Sequence, residues 1–188
     1  SSAIWTLPLN GSGKPRRVSR SRMDGFGGIA FTPEGGLVYT SYVAAVWSVW
    51  RAAADGSDRV PVLTLGVGDD ILSPTVAPDG TIYYTQRGRT GTYIRATSKD
   101  GGTTRTVASD VRPEAIALWP DGQSVAFGAT VGGIPGIFQA AVAGGERRQI
   151  TDLKAFLVTL DPTGTRAAFY FIDDADQSFR LGVAPVAA

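Results

Sequence analysis

Aspartates recur along this chain at a spacing that could gather them around one site. Asp24, Asp70, Asp110 and Asp152 precede Pro33, Pro78, Pro120 and Pro162 by eight to ten residues each, and Asp69 stands beside Asp70. Carboxylates brought to one axis would form an acidic collar for a cation or a basic peptide, because a cleft lined by one sign of charge concentrates its counter-ion. The plainer alternative is an aspartate that accepts backbone N–H bonds within its own turn. For each aspartate taken singly, that alternative carries more weight. Asp173, Asp174 and Asp176 form a tighter acidic group. Calcium takes such oxygen ligands, but the ordered Asp alternation, central Gly and distal Glu of a calcium loop are missing. A solvated loop is the stronger reading there.

The 188 residues contain no cysteine and no histidine. That removes disulfides, thiol nucleophiles, Cys-type zinc sites and the usual Ser-His-Asp arrangement. It also removes the commonest general base and transition-metal ligand together. Lack of cysteine fits a periplasmic protein and a cytosolic one equally. Gly11-Ser12-Gly13-Lys14 is close to a phosphate loop, but Pro8 stands where the first glycine is needed and Pro15 follows the lysine. Gly25, Gly27 and Gly28 lead into a strand pattern rather than a helix, so a dinucleotide fingerprint is unsupported. No Gly-x-Ser-x-Gly elbow is present. No catalytic, cofactor-binding or metal-binding residue is assigned, and no cofactor is expected. Lys14, Arg16, Arg17, Arg20 and Arg22 make a basic stretch without interleaved aromatics, which suits a solvated edge strand better than nucleic acid.

The elements that carry these residues come from a repeat. Thr32-Pro33-Glu34-Gly35, Ala77-Pro78-Asp79-Gly80, Trp119-Pro120-Asp121-Gly122 and Asp161-Pro162-Thr163-Gly164 share a Pro-x-Gly turn, with prolines 45, 42 and 42 residues apart. Between them runs a second marker, a glycine turn before an Arg-bearing strand. It reads Asn10-Gly11-Ser12-Gly13 before Arg16, Asp55-Gly56 before Arg59, Asp100-Gly101-Gly102 before Arg105, and Gly144-Gly145 before Arg147. Proline fixes φ in the turn, and glycine supplies a positive φ. Short apolar runs at 28–31, 75–77, 115–119 and 156–160 precede the Pro-x-Gly turns. Runs rich in β-branched and aromatic residues follow at 37–42, 81–85, 124–127 and 167–172. Third strands are predicted at 46–52, 93–97, 137–142 and 179–183, and fourth strands at 60–65, 103–107 and 147–151. Four strands in each repeat of this length make a propeller blade. No 3.6-residue period with caps is found, so almost no helix is predicted. Hydrophobic residues make up 43% of the chain and net charge is +1. A core can form, no global field favours nucleic acid, and no apolar run is long enough to span a bilayer.

On these residues the chain resembles the TolB-like, WD-like β-propeller family. The third repeat carries the closest match: Pro120-Asp121-Gly122, Val125-Ala126-Phe127, Gly144-Gly145 and Arg148-Gln149-Ile150-Thr151. The fourth gives Pro162-Thr163-Gly164 and Ala167-Ala168-Phe169. The first two depart from the pattern, with a second strand starting one residue sooner after the proline and Glu34 replacing Asp. The resemblance covers nearly the whole chain and implies fold more than function.

The expected fold is all-β, a propeller of four-stranded antiparallel blades numbering four to four and a half. The units fall near 1–22 (a half blade), 25–66, 71–109, 113–152 and 155–188, the last without its fourth strand. This phase is that of a piece of a larger propeller whose open flanks invite self-association. In a propeller the blade connections share one mouth with the loops between second and third strands. That places Asp24, Asp70, Asp110, Asp152, Tyr42, Arg87, Arg89, Ile134 and Phe171 as candidate contacts there. The resemblance implies a non-catalytic binding or sensing scaffold for a protein or peptide, in a periplasmic or other extracytoplasmic setting of a bacterial protein. The rival is the gating propeller of a serine peptidase, with its catalytic domain outside this chain. A weaker option is a propeller enzyme using carboxylates and a central metal. Neither nucleic-acid binding nor membrane insertion is expected.

Overall fold

The structure is a computed structural model and describes residues 2–10 and 13–186. Gly11 and Ser12, from the phosphate-loop-like run and the first glycine turn, lie outside these. A two-stranded piece, β1 (Trp5–Thr6) with β2 (Arg16–Arg17), comes first. Sheet I follows as β3 (Asp24–Phe31), β4 (Leu37–Val43), β5 (Val46–Ala52) and β6 (Val60–Thr64). Sheet II holds β7 (Asp70–Val76), β8 (Ile82–Gly88), β9 (Gly91–Thr97) and β10 (Thr104–Ser109). Sheet III holds β11 (Val111–Leu118), β12 (Ser124–Val131), β13 (Ile134–Ala141) and β14 (Arg148–Thr151). Sheet IV has three strands, β15 (Ala155–Leu160), β16 (Arg166–Ile172) and β17 (Phe179–Pro185). Each sheet is an antiparallel meander in chain order, and no helix occurs among the described residues. No helix is long and apolar enough to cross a membrane.

The turn chemistry produces this regularity. In the Pro-x-Gly turns, the N–H of Gly35, Gly80, Gly122 and Gly164 donates to the carbonyl three residues back at 2.8–2.9 Å. Those glycines have φ of +69° to +86°, the geometry of a turn with proline second and glycine fourth. The sheets then stack face to face. Val38, Val49 and Val62 of sheet I meet Ile71, Ile82 and Tyr84 of sheet II. Tyr83 and Ala96 of sheet II meet Val125 and Phe127 of sheet III. Ala126 and Ile137 of sheet III meet Ala167 and Phe169 of sheet IV. The first strands β3, β7, β11 and β15 pack successively on one another, which makes them the inner edge. This is a propeller-like stack of blades. No apolar cluster joins sheet IV back to sheet I among the described residues, so a closed ring is not seen.

The inner strands differ from the sequence reading. They begin four or five residues sooner than the runs at 28–31, 75–77 and 115–119, so Asp24 and Asp70 are first residues of strands rather than connection residues. Every inner strand contains a register shift, between Asp24 and Ile29, Leu72 and Thr75, Val111 and Ile116, and Phe156 and Val158. A bulge lets a strand carry an extra residue and still rejoin its ladder. Glycine and proline in these stretches therefore do not end the strand. Gly27 shows why a side chain is excluded: a Cβ there would lie 2.4 Å from the Ile71 carbonyl oxygen on the neighbouring inner strand.

Candidate functional site

Antiparallel pairing puts the starts of the inner strands and the loops between second and third strands at the same end of the stack. Asp24 stands opposite Ser41, Asp70 opposite Arg87, Val111 opposite Ala129, and Ala155 opposite Phe171. The connecting loops are short in sheets I to III: Ala44-Ala45, Arg89-Thr90 and Gly132-Gly133. Only in sheet IV does a longer loop, 173–178, intervene. The candidate residues thus share one end, but their surroundings differ.

Asp24 has no exposed surface. Its Oδ2 accepts the backbone N–H of Arg20 and Ser21 at 3.0 and 2.9 Å, and its Oδ1 accepts the Ser41 hydroxyl at 2.7 Å. The Arg59 guanidinium reaches the same Oδ1 at 3.4 Å, and its side chain is 15% exposed. Arg59 also lies over the Trp50 ring at 4.1 Å and the Tyr39 ring at 5.6 Å, a stacked cation geometry. Burial pushes the Tyr39 phenol above its ordinary pKa, with Arg59 opposing the shift. These contacts tie the connection before β3 to β4 and to the approach of β6. A fully enclosed carboxylate with four donors has no oxygen to offer a ligand.

Asp70 is half-buried, beside an exposed Arg87. Its Oδ2 accepts Arg87 Nε at 2.8 Å and a second bond from Arg87 Nη2, a fork that holds both side chains across β7 and β8. Neighbouring Asp69 accepts from Gln86 at 3.0 Å. Arg89 is exposed at the tip beyond β8. Asp110 is exposed, has φ of +53° and accepts the Ser109 hydroxyl at 3.1 Å. Tyr42 is half-buried, its ring 5.1 Å from that of Trp47, which also stacks with Phe26 at 5.9 Å. Ile134 opens β13 opposite Val131; its side chain lies outside the described part.

Asp152 and Phe171 come together. They line a groove of about 410 Å³ with Pro135, Leu153, Lys154 and Ile172, bounded by Asp173 and Asp174. Asp152 is exposed and has no ion pair or hydrogen bond among the described residues. Phe171 is half-buried against Phe169, at 6.4 Å. Lys154 pairs with Asp174, and Arg180 pairs with Asp173 and Asp176 at 2.8 and 2.9 Å. The Ser178 hydroxyl and backbone N–H lower the Asp176 pKa. The acidic loop is thus an ion-pair network, and no three carboxylates converge to hold a cation among the described residues. The groove has an apolar floor and a rim carrying both signs of charge.

Sequence reasoning missed the role of the marker arginines. Arg147 repeats Arg59: its guanidinium lies 5.7 Å from the Phe127 ring and its Nη2 donates to the Ser109 carbonyl, before β11. Both arginines pin the connection entering their own sheet. Their fixed phase in the repeat was the available signal.

No family model matches the chain, and no curated protein sequence matches it. Solved structures do. TolB from Acinetobacter baumannii superposes with a TM-score of 0.81 at 18% identity, over 98% of this chain and 46% of that one. A putative TolB from Agrobacterium tumefaciens gives 0.70 at 16% identity, over 93% of this chain and 66% of that one. A puromycin hydrolase mutant gives 0.72 at 17% identity, over 94% of this chain and 30% of that one. The chain therefore spans between about a third and two thirds of the length of these proteins. The likeness shows a TolB-like, propeller-like fold.

Proposed function

We propose that this chain is a non-catalytic binding or sensing scaffold, a TolB-like propeller piece of a bacterial protein that holds a protein or peptide partner at its loop mouth. The groove between sheets III and IV carries the reading. It sets an unpaired carboxylate, Asp152, beside the apolar surface of Leu153 and Phe171, on loops fixed by rigid sheets. A concave apolar floor with a few placed polar groups suits an extended segment bearing a basic residue next to an apolar one. Arg87, Arg89 and Asp70 extend the charged rim over sheet II. An extracytoplasmic setting goes with this reading, and so does association of the open flanks with a second copy. A net charge of +1 gives no footing for nucleic acid.

The test is a displayed-peptide selection on the immobilised chain, followed by affinity measurement on Asp152→Lys and Leu153→Glu. The expected outcome is enrichment of basic–apolar peptides whose affinity falls at least about tenfold in both variants, a change of ~1.4 kcal/mol. Peptides that bind equally well to both variants would remove the groove from the proposal.

The second reading, a gating propeller for a serine peptidase, draws on the superposition of 94% of the chain on a puromycin hydrolase mutant. Sequencing the gene on both sides separates the two. A flanking hydrolase domain with a Gly-x-Ser-x-Gly elbow favours gating, and a kinase or DNA-binding domain favours sensing.

A further inference from the structure

One row of side chains crosses sheet II toward sheet III and differs from its counterparts. In register, Tyr83 of β8 stands opposite Ala96 of β9, and Ala96 stands opposite Arg105 of β10. The same row reads Val38, Arg51, Val60 in sheet I and Ala126, Gln139, Arg148 in sheet III. In those sheets a long, half-buried side chain takes the middle of the row. In sheet II the middle is a methyl group, with a long side chain on either side of it. A cleft of about 340 Å³ lies over this row, at the end of the stack opposite the mouth. It opens between two four-stranded sheets that are each packed on both faces.

The floor of the cleft is closed and its walls are fixed. Tyr83, Ala96 and Val142 are buried. The Val142 N–H donates to the Gln123 carbonyl at 2.9 Å, and the Gln123 N–H donates to Asp121 at 2.8 Å. On the facing wall the Thr103 N–H donates to the Ser98 hydroxyl at 3.1 Å. Arg105 bridges the sheets, its Nη1 donating to the Val142 carbonyl. This is not the clasp made by Arg59 and Arg147. The register puts Thr104 at their place in sheet II, where its hydroxyl donates to that of Thr97 at 3.0 Å. Arg105 stands one residue further on and faces the next sheet. No carboxylate pairs with it among the described residues. Its guanidinium, which carries several N–H donors, gives one to a neutral carbonyl. Burial pushes the Tyr83 phenol above its ordinary pKa; Arg105 opposes that shift and Asp79 adds to it. Asp79 stands at the rim, and its Oδ1 accepts the Thr81 N–H at 2.8 Å.

We propose that this cleft binds a small monocarboxylate that carries a hydroxyl group beside its carboxylate. Arg105 takes the carboxylate, because a planar guanidinium matches both of its oxygens and lacks a counter-charge of its own. The Tyr83 phenol donates from the floor, and Ala96 leaves the room. Asp79 accepts the hydroxyl and repels a second negative charge, which turns dianions away. A volume of about 340 Å³ is at the small end of ligand pockets, and the lining is held in place before anything binds. The cleft is at the far end of the stack from the Asp152 groove and does not depend on it.

An NMR titration of the isotope-labelled chain with lactate tests this, with acetate and inorganic phosphate as comparisons. Lactate is expected to shift the amides of Ala96, Ser98 and Gln123 saturably, at about millimolar affinity. Acetate, without the hydroxyl, is expected to bind at least about tenfold more weakly, and phosphate to leave these amides in place. Ala96→Leu fills the cleft and Arg105→Gln removes the fork, so each weakens lactate at least about tenfold. Arg105→Gln also cuts the tie to Val142, so the decision falls to Ala96→Leu and to Tyr83→Phe, which keeps the packing and costs about threefold or more. Asp152→Lys leaves lactate binding unchanged, which separates failure here from failure of the groove. Lactate that shifts none of these amides, or that binds Ala96→Leu as it binds the parent, overturns the inference. So do acetate and phosphate that match lactate, which would mark Arg105 as an exposed cation only.

Discussion

Asp24 and Asp70 open the inner strands of adjacent sheets, nine and eight residues before their repeat prolines, yet they do opposite work. Asp24 is sealed beneath the connection that precedes it, with four donors and a stacked arginine. Asp70 is only half-buried and forms a cross-strand fork with exposed Arg87. The difference lies in the partner across the ladder. Opposite Asp24 stands Ser41, short enough to donate from within the sheet, and Arg59 arrives from the fourth-strand side. Opposite Asp70 stands Arg87, whose long side chain carries the pair outward. A buried ion pair is sustained by extra hydrogen bonds and fails when one member is lost, whereas an exposed pair contributes little.

Replacing Asp24 tests this contrast most severely. Asp24→Ala leaves Arg59 enclosed without its counter-charge and frees two backbone donors, so urea unfolding is expected to show a loss of about 3–5 kcal/mol. A loss below ~1 kcal/mol would erase the distinction. Ser41→Ala removes one charged hydrogen bond and is expected to cost about 1.5–3 kcal/mol. A double-mutant cycle with Asp24→Asn should show coupling between the two, since they share one bond. Asp70→Ala is expected to cost less than ~1 kcal/mol, and less again in high salt. If it matches Asp24→Ala, the exposed fork is a structural tie after all.

A third aspartate sharpens the comparison at the level of pH. Asp161 is half-buried in the last Pro-x-Gly turn. It accepts the Thr163 hydroxyl at 2.6 Å and the N–H groups of Thr165 and Arg166 at 2.8 Å each. Those bonds, the Thr163 hydroxyl first, lower its pKa to about 2. A depressed carboxylate stabilises the fold above its unfolded value, and that contribution is lost as pH falls toward the folded one. The parent is therefore expected to lose stability between about pH 4 and pH 2 more steeply than Asp161→Asn. Parallel unfolding curves in that window would count against the turn bonds.

Most of the fold was legible in the sequence because its signals are local. Pro33, Pro78, Pro120 and Pro162 with their glycines fix turns through φ alone, and the strands between them follow from pattern. The early starts of the inner strands were not legible. Gly25 to Gly28 and Ser73-Pro74 look like interruptions until a neighbouring ladder shows that a bulge absorbs them. The candidate mouth was legible as a place, since strand direction decides which loops share an end. Its membership was not. The phase that grouped Asp24 with Asp152 carries no information on burial, and the fixed phase of Arg59 and Arg147 does not by itself name the groups they clasp.

The sequence by itself determined that this is a repeating all-β chain with four similar units and no histidine or cysteine chemistry, because turn geometry and residue type are properties of a few neighbouring residues. Only the tertiary structure decided which aspartate is enclosed, which pair lines a groove and which sheet face stays open. Burial and partnership depend on what packs across from a residue, and in this fold those partners lie well outside its local run of sequence: Ser41 and Arg59 for Asp24, Phe171 for Asp152, the next sheet for a covered face.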